Sequence, residues 1–329
     1  MLRKIDWGEQ IGRRLKMRDL HVFFTVVRRG SMGKAAADLG VSPPTVSEVI
    51  SDLEHGLGVK LLDRSSQGVE PTMYGHALLR RGLAAFDELK QGIRDIEFLS
   101  DPTTGELRIG CTETVSATIL PRIISHFSRQ LPGVALHFDD IGVSATEVLG
   151  PGLRDRKYDC VIQRVALPLP EGLADDLNVE VLFDDDLIVA AGSSTRWARR
   201  RKIALRELMD EPWILPPAGT WYHSVVSRLF RARGLDPPKP NLVTHSVALR
   251  TRLLTEGPYI TTFASSIVRF HAEHYALAML PVDFPTQALP AGVLTLKNRT
   301  LSPVVERFIA CAREVAKSLA SRNSSNRRK

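Results

Sequence analysis

The sequence predicts a chain of three parts. A small, mainly α segment carries three short helices and a two-stranded wing, a long single helix follows, and an α/β region with a mostly parallel sheet completes the chain. Three observations predict this. Helical apolar spacing punctuated by glycines fills residues 17–58. A seven-residue apolar repeat then runs free of proline between Thr72 and Pro102. Beyond Pro102, strand-like runs alternate with helical ones, the pattern of helices packed on a parallel sheet. The length of 329 residues, 43% hydrophobic and 25% charged, gives two or three domains with real cores and excludes wholesale disorder.

Residues 1–16 read as a polar extension without periodicity. From Met17, Leu20, Phe23, Phe24 and Val27 form one helical face that Gly30 ends. Ser31 suits an N-cap for a second helix, whose Ala35, Ala36, Ala37 and Leu39 allow tight packing before Gly40 breaks it. Ser42 and Pro43 read as N-cap and first helical position of a third helix, which runs through Val46, Val49, Ile50 and Leu53 to Gly56 or Gly58. Leu61 to Arg64 and Val69 to Thr72 form a small hairpin. The order is that of a winged helix-turn-helix.

In the long helix, Leu79, Phe86 and Ile93 are spaced by seven, as are Leu89 and Ile96, and Leu83 lies on the same stripe. Such a repeat favours pairing with another helix, the alternative being packing on the helix's own domain. Asp101 to Gly105 reads as a turn-rich linker. Strands are expected at Leu107–Cys111, Val134–Phe138, Asp159–Ile162, Val179–Phe183, Leu187–Ala191 and Trp213–Leu215, with helices at Ile119–Gln130, Thr146–Arg156 and Val225–Arg233. Ligands in such sheets bind at the carboxyl ends of strands. Ser318 to Lys329 is polar and basic and is expected to be disordered.

The net charge of +7 sits at the two ends. Residues 1–81 hold 13 Lys/Arg against 9 Asp/Glu, residues 313–329 hold 6 against 1, and the stretch between is slightly acidic. A basic N-terminal segment suits a nucleic-acid surface. No apolar run is long enough for a membrane span, the first ten residues lack a signal-peptide core, and three separated cysteines form no disulfide framework. A cytoplasmic protein with no membrane partner is therefore expected. No catalytic constellation, phosphate loop or Gly-x-Ser-x-Gly occurs, so the chain reads as no enzyme, with no cofactor and no metal. His271-x-x-His274 lacks a third ligand and reads as a helix face. Asp184-Asp185-Asp186 reads as a surface turn, and Cys111 and Cys160 as buried thiols.

These residues resemble the LysR-type transcriptional regulators. Gly30-Ser31, Ala35-Ala36, Leu39, Val41-Ser42-x-Pro44, Ser47, Ile50, Leu53-Glu54-x-x-Leu57-Gly58-Val59, Leu61, Arg64, Thr72 and Gly75 carry the resemblance. It continues through Gly105-x-Leu107-x-Ile109-Gly110, Leu120-Pro121, Pro132-Gly133-Val134 and the run from Trp213 to Thr220. The chain departs from the family pattern at Pro43, Glu48 and Pro71, which touches DNA sequence preference rather than binding, and at Tyr259 in the effector domain, where the family has a small residue.

The resemblance implies a winged helix-turn-helix over 17–75 and a dimerising linker helix over 76–101. It also implies a two-lobed, periplasmic-binding-protein-like effector domain over 102–312, with lobe I at about 103–180 and 283–311, lobe II at about 181–282, and a basic tail at 313–329. Implied partners are double-stranded promoter or operator DNA, a small-molecule effector between the lobes, and a second copy of the chain in a dimer or tetramer. RNA polymerase is a further partner that it allows. The alternative is a solute-binding protein of the same α/β fold without DNA-binding function.

Ser42, Pro44, Thr45, Ser47 and Glu48 fall on the first turns of the third helix, which are expected in the major groove. Ser42 suits a phosphate as well as a cap, and Glu48 suits a cytosine amino group or a surface ion pair. Arg28, Arg29, Ser31, Lys34 and Arg64 complete the DNA-binding candidates, with Arg64 matching a wing arginine of the family. Leu79, Leu83, Phe86, Leu89, Ile93 and Ile96 are the dimerisation candidates. For the effector they are Thr112, Glu113, Thr114, Ser144, Gln163, Arg164, Gly219, Thr220, Trp221, Ser246 and Tyr259, with helix capping the alternative for each Ser and Thr. Thr114 is expected to cap the helix that follows. Glu113, in a helix-start loop, would repel an anion, which favours a neutral sugar, polyol or phenolic effector; the alternative is that it faces solvent. Tyr222 adds a further flat face for such a ligand.

Overall fold

The computed structural model describes residues 15–65, 68–102, 104–142, 152–165, 167–169, 172–283, 289–297 and 299–326. The chain divides into two compact units, 1–94 and 95–329.

In the first unit, α1 (Met17–Arg29), α2 (Met32–Leu39) and α3 (Pro43–Leu57) precede a hairpin of β1 (Leu62–Ser65) and β2 (Gly68–Pro71). Gly30 ends α1 in the left-handed region, φ 61°, with its N–H donating to the carbonyls of Val26 and Val27. Ser31 and Ser42 cap α2 and α3 with their side chains, as the sequence predicts. The apolar faces close one core of Phe23, Val26, Ala35, Ala36, Val46, Ile50, Leu53, Leu61 and Leu62. Glu54, within that core, is only 5% exposed. It accepts from the backbone N–H of Leu61 at 2.8 Å and of Leu62 at 3.2 Å, and from the Lys60 ammonium at 2.6 Å. It therefore pins the hairpin to α3.

The long helix α4 spans Met73–Ser100. Gly75 is required near its start, since a Cβ there would stand 2.1 Å from the Leu61 carbonyl oxygen. The expected apolar stripe divides in two. Leu79 packs against the first unit's core, and Phe86 sits edge-on to Phe24 at 5.4 Å and stacks on His21 at 6.3 Å. Phe86 thus packs within its own domain. Leu83, Leu89, Ile93 and Ile96 are exposed, with Leu99 beside them.

The second unit holds two five-stranded sheets. The first contains β3 (Gly105–Cys111), β4 (Val134–Asp140), β5 (Cys160–Arg164), β6 (Leu177–Phe183) and β12 (Ala291–Leu296), in the order β4-β3-β5-β12-β6. Its core is built around Leu107, Ile109, Ile123, Phe127 and Phe308. The short α5 (Glu113–Ser116), α6 (Leu120–Gln130) and α10 (Pro303–Asn326) belong to this lobe. The second sheet contains β7 (Leu187–Gly192), β8 (Trp213–Leu215), β9 (Pro240–Val243), β10 (Ile260–Ala264) and β11 (Leu277–Met279), in the order β11-β7-β10-β8-β9. With it come α7 (Trp221–Arg231), α8 (Val247–Glu256) and α9 (Ser265–Tyr275). Trp213 and Phe230 meet edge-on at 5.4 Å in its core.

The sheets are mixed rather than mostly parallel. β7 is antiparallel to β10, and β12 to β5 and β6. Both enter from the other lobe: Leu187 pairs with the last residue of β10, and Ala291 with the last of β5. A strand arriving at the carboxyl ends of its neighbours must run against them. The lobes exchange chain at 184–186 and again after Met279. Of the tail expected to be disordered, residues as far as Asn326 continue helix α10, whose residues up to Ala316 pack in this lobe's core, and 327–329 lie outside the described residues. Most of the helix expected at Thr146 to Arg156 lies outside the described residues. Among the described residues, no helix is long and apolar enough to cross a membrane.

Candidate functional sites

The first unit offers a polar helix end beside the wing. Pro44 and Glu48 are exposed on α3, and Thr45 and Ser47 half-exposed. Ser42 Oγ accepts from Thr45 N at 3.3 Å and lies 2.8 Å from Thr45 Oγ1, so it is already spent on capping. Arg64, exposed on β1, donates to Ser47 Oγ at 3.2 Å, which joins the wing to the helix. Lys34 is exposed beside the cap of α2. Arg28 and Arg29 both face Asp38 of α2, Arg28 at 3.7 Å and Arg29 in a direct hydrogen bond. That partner competes with any phosphate for the two guanidiniums.

The second unit encloses a cavity of about 520 Å³. Thr112, Glu113, Thr114, Gln163, Arg164 and Trp221 line it. Gly219 and Thr220 do not: Thr220 caps α7, accepting from His223 N at 3.2 Å. Tyr259 is corrected too, being packed with Val247 and Leu254 against the core below α8. Ser144 lies outside the described residues, as do the side chains of His271 and His274. Thr114 is no side-chain cap; Thr112 stands at the N-cap of the four-residue α5 without a side-chain bond.

Glu113 does not face solvent, the alternative that the sequence left open for it. Its carboxylate reaches from the first lobe to the start of α8 in the second. It accepts from Val247 N at 2.7 Å, Ala248 N at 2.9 Å and Ser246 Oγ at 3.3 Å. Ser246 meanwhile caps α8 through Leu249 N.

Asp185, expected in a surface turn, is buried where the chain crosses between lobes. It pairs with Arg164 and accepts from Ser265 Oγ at 2.7 Å and Ser266 N at 3.0 Å. The Arg164 side chain is 9% exposed, and its Nε and Nη1 are buried without a hydrogen-bond partner. Arg250 is 4% exposed and donates to the carbonyls of Ser246, Thr262 and His245, with its guanidinium 4.5 Å from the Phe263 ring centroid. Burial pulls its pKa down. Burial and the Arg250 charge likewise lower that of His245. Burial and the Glu113 charge push Asp140 up.

Arg250, His245, Asp140 and Asp185 were missed in the sequence. A signal existed for Arg250: with Val247, Thr251 and Leu254 it shares the inward face of a helix, where an arginine needs a reason. Cys111 and Cys160 are buried, and burial pushes the Cys111 thiol up to about 11, so it carries no thiolate.

The comparisons agree with this architecture. The family model described as the bacterial regulatory helix-turn-helix protein, lysR family, matches residues 17–76. The LysR substrate binding domain matches residues 100–317. The chain is 27% identical over 302 residues to the HTH-type transcriptional regulator GbpR of Azospirillum brasilense, covering 91% of this chain and 86% of that one. A full-length OxyR variant from Pseudomonas aeruginosa is similar in fold, with a TM-score of 0.58 at 20% identity, covering 92% of this chain and 94% of that one. Full-length CbnR complexed with its target DNA has a TM-score of 0.52 at 22% identity, covering 92% of this chain and all of that one. The helix-turn-helix match over residues 17–76 speaks against a solute-binding protein without a DNA-binding domain. With both of its parts matched in order, the chain belongs to the LysR family, as a transcriptional regulator with a helix-turn-helix DNA-binding domain and an effector-binding domain.

Proposed function

We propose that this regulator's operator binding or transcription activation is modulated by a neutral small molecule, a sugar, polyol or phenolic compound, held in the cavity between its two α/β lobes. The observation that carries this is Glu113, a first-lobe carboxylate bound to the start of a second-lobe helix at the cavity wall. Any ligand that fills the cavity bears on a contact between lobes, and one that binds one lobe arrangement better than another shifts the population towards it.

The DNA-facing residues in this reading are Pro44, Thr45, Ser47 and Glu48 at base edges and Lys34 and Arg64 at phosphates. Arg28 and Arg29, exposed and held by Asp38, and the helix caps Ser31 and Ser42 flank that surface. Leu83, Leu89, Ile93 and Ile96 form the seam of a dimer, or of the dimers within a tetramer, and present two recognition helices to two half-sites. An activator in this arrangement also meets RNA polymerase. The testing experiment is a thermal-shift screen of the full chain against sugars, polyols and phenols. Each hit is then carried into gel retardation with DNA from upstream of the chain's own gene. A hit that alters retardation is expected; absence of DNA binding with and without every hit overturns the reading.

A further inference from the structure

Glu113 and both arginines of the cavity wall already have partners without a ligand. Asp185 neutralises Arg164. Arg250 donates to three backbone carbonyls and lies against the Phe263 ring. Glu113 meanwhile makes the contacts that a bound anion makes at a helix N-terminus, with two backbone N–H groups and one hydroxyl of the ten-residue α8 and its cap. A ligand carboxylate arriving there finds the amides occupied and two like charges, Glu113 and Asp140, in the wall.

What remains unmet is different in kind. The buried Nε and Nη1 of Arg164, in the same wall, lack acceptors. Because Asp185 already balances that guanidinium, an uncharged hydroxyl or carbonyl oxygen satisfies it without leaving a surplus charge. The rest of the wall is largely apolar, with Ile141, Leu169, Leu173, Leu177, Phe263 and Leu294. A sugar, polar all round, leaves that wall uncovered, whereas a ring or branched chain fills it.

We propose that Glu113 is a resident carboxylate of the cavity and a specificity-determining residue. By filling the anion seat of α8, it restricts the site to uncharged ligands with an apolar body and an acceptor oxygen for Arg164. The proposal rests on the effector reading above and narrows it from sugars and polyols towards phenol-like compounds.

The test uses the full chain as parent, Glu113→Ala and Glu113→Gln, and two probes of one shape, 2-phenylethanol and phenylacetate, at fixed ionic strength. Melting temperature is followed against probe concentration. The parent is expected to rise with the alcohol, by roughly 3–6 °C at ten times its dissociation constant, and to ignore the acid. Removing the Glu113 charge is expected to shift the acid-to-alcohol affinity ratio at least tenfold towards the acid. Glu113→Gln keeps an acceptor for α8 and carries the test if Glu113→Ala does not fold. An unshifted ratio in the variants overturns the proposal, as does a lack of response to both probes in every protein. Gel retardation on the same samples separates the two readings. A parent that fails to bind DNA overturns the regulator reading and leaves a shifted ratio standing, while an unshifted ratio with DNA binding intact overturns only the role of Glu113.

Discussion

Glu54 shows how one side chain converts a helix and a hairpin into a DNA-reading unit. Although burial acts most strongly and in the opposite direction, the Lys60 ammonium and the amides of Leu61 and Leu62 hold its carboxyl below the ordinary value of 4.5. A carboxyl depressed in the folded state stabilises fully above its unfolded value and loses that contribution as pH falls through the folded one. Glu54→Ala, which strands two buried amides, is expected to cost about 2–4 kcal/mol at neutral pH. In acid melting below about pH 4.5, the difference between parent and variant is expected to shrink. A difference that grows with acidification contradicts the assignment. Arg64 makes a separate prediction at this scale. Arg64→Ala is expected to weaken specific and nonspecific DNA alike and to lower the salt slope of binding by about one, whereas Thr45→Ala weakens specific binding more. Titrations at several salt concentrations distinguish them.

Among the elements, α4 carries two jobs on one stripe. Its first turns cover Phe24 and His21 through Phe86, and its later turns leave Leu89, Ile93 and Ile96 in solvent. Charge placed at these two positions therefore has different consequences. Ile93→Asp puts a carboxylate into the proposed seam and is expected to give a smaller oligomer in sedimentation, with folding unchanged. Phe86→Asp is expected to lower the stability of the first unit by about 1–3 kcal/mol through lost packing, whatever the oligomer does. Equal oligomer loss in both, with equal stability, contradicts this division of the helix.

At the scale of the molecule, the two chain crossings decide how the lobes are built. Asp185 sits at the first crossing, tying β5 through Arg164 and the start of α9 through Ser265 and Ser266. Removing one member of a buried pair leaves the other uncompensated, at a cost of about 3–5 kcal/mol. Asp185→Asn is expected to lower the melting temperature of the effector-binding domain while the DNA affinity of the remaining folded protein holds. In a double-mutant cycle with Arg164→Gln, the two losses are expected to be less than additive. Strict additivity would mean that the pair does not act as a unit.

By itself the sequence determined what depends on short-range periodicity: the caps Ser31 and Ser42, the break at Gly30, the wing, the long helix and most strands. These elements follow from spacing and local capping, which neighbouring residues decide. It also pointed to the loop at Thr112 to Thr114, which lines the cavity. Tertiary structure alone decided which charges meet. Glu113 finds its partners more than a hundred residues away, Arg164 finds Asp185 across a change of lobe, and Phe86 turns inward because Phe24 is there. Tyr259 and Thr220 read as site residues because loop position is visible in sequence, yet their side chains are taken up by a core and a cap. The direction of β7 and β12 was hidden for the same reason: a strand's partner is a property of topology, and local pattern records only that the strand is buried.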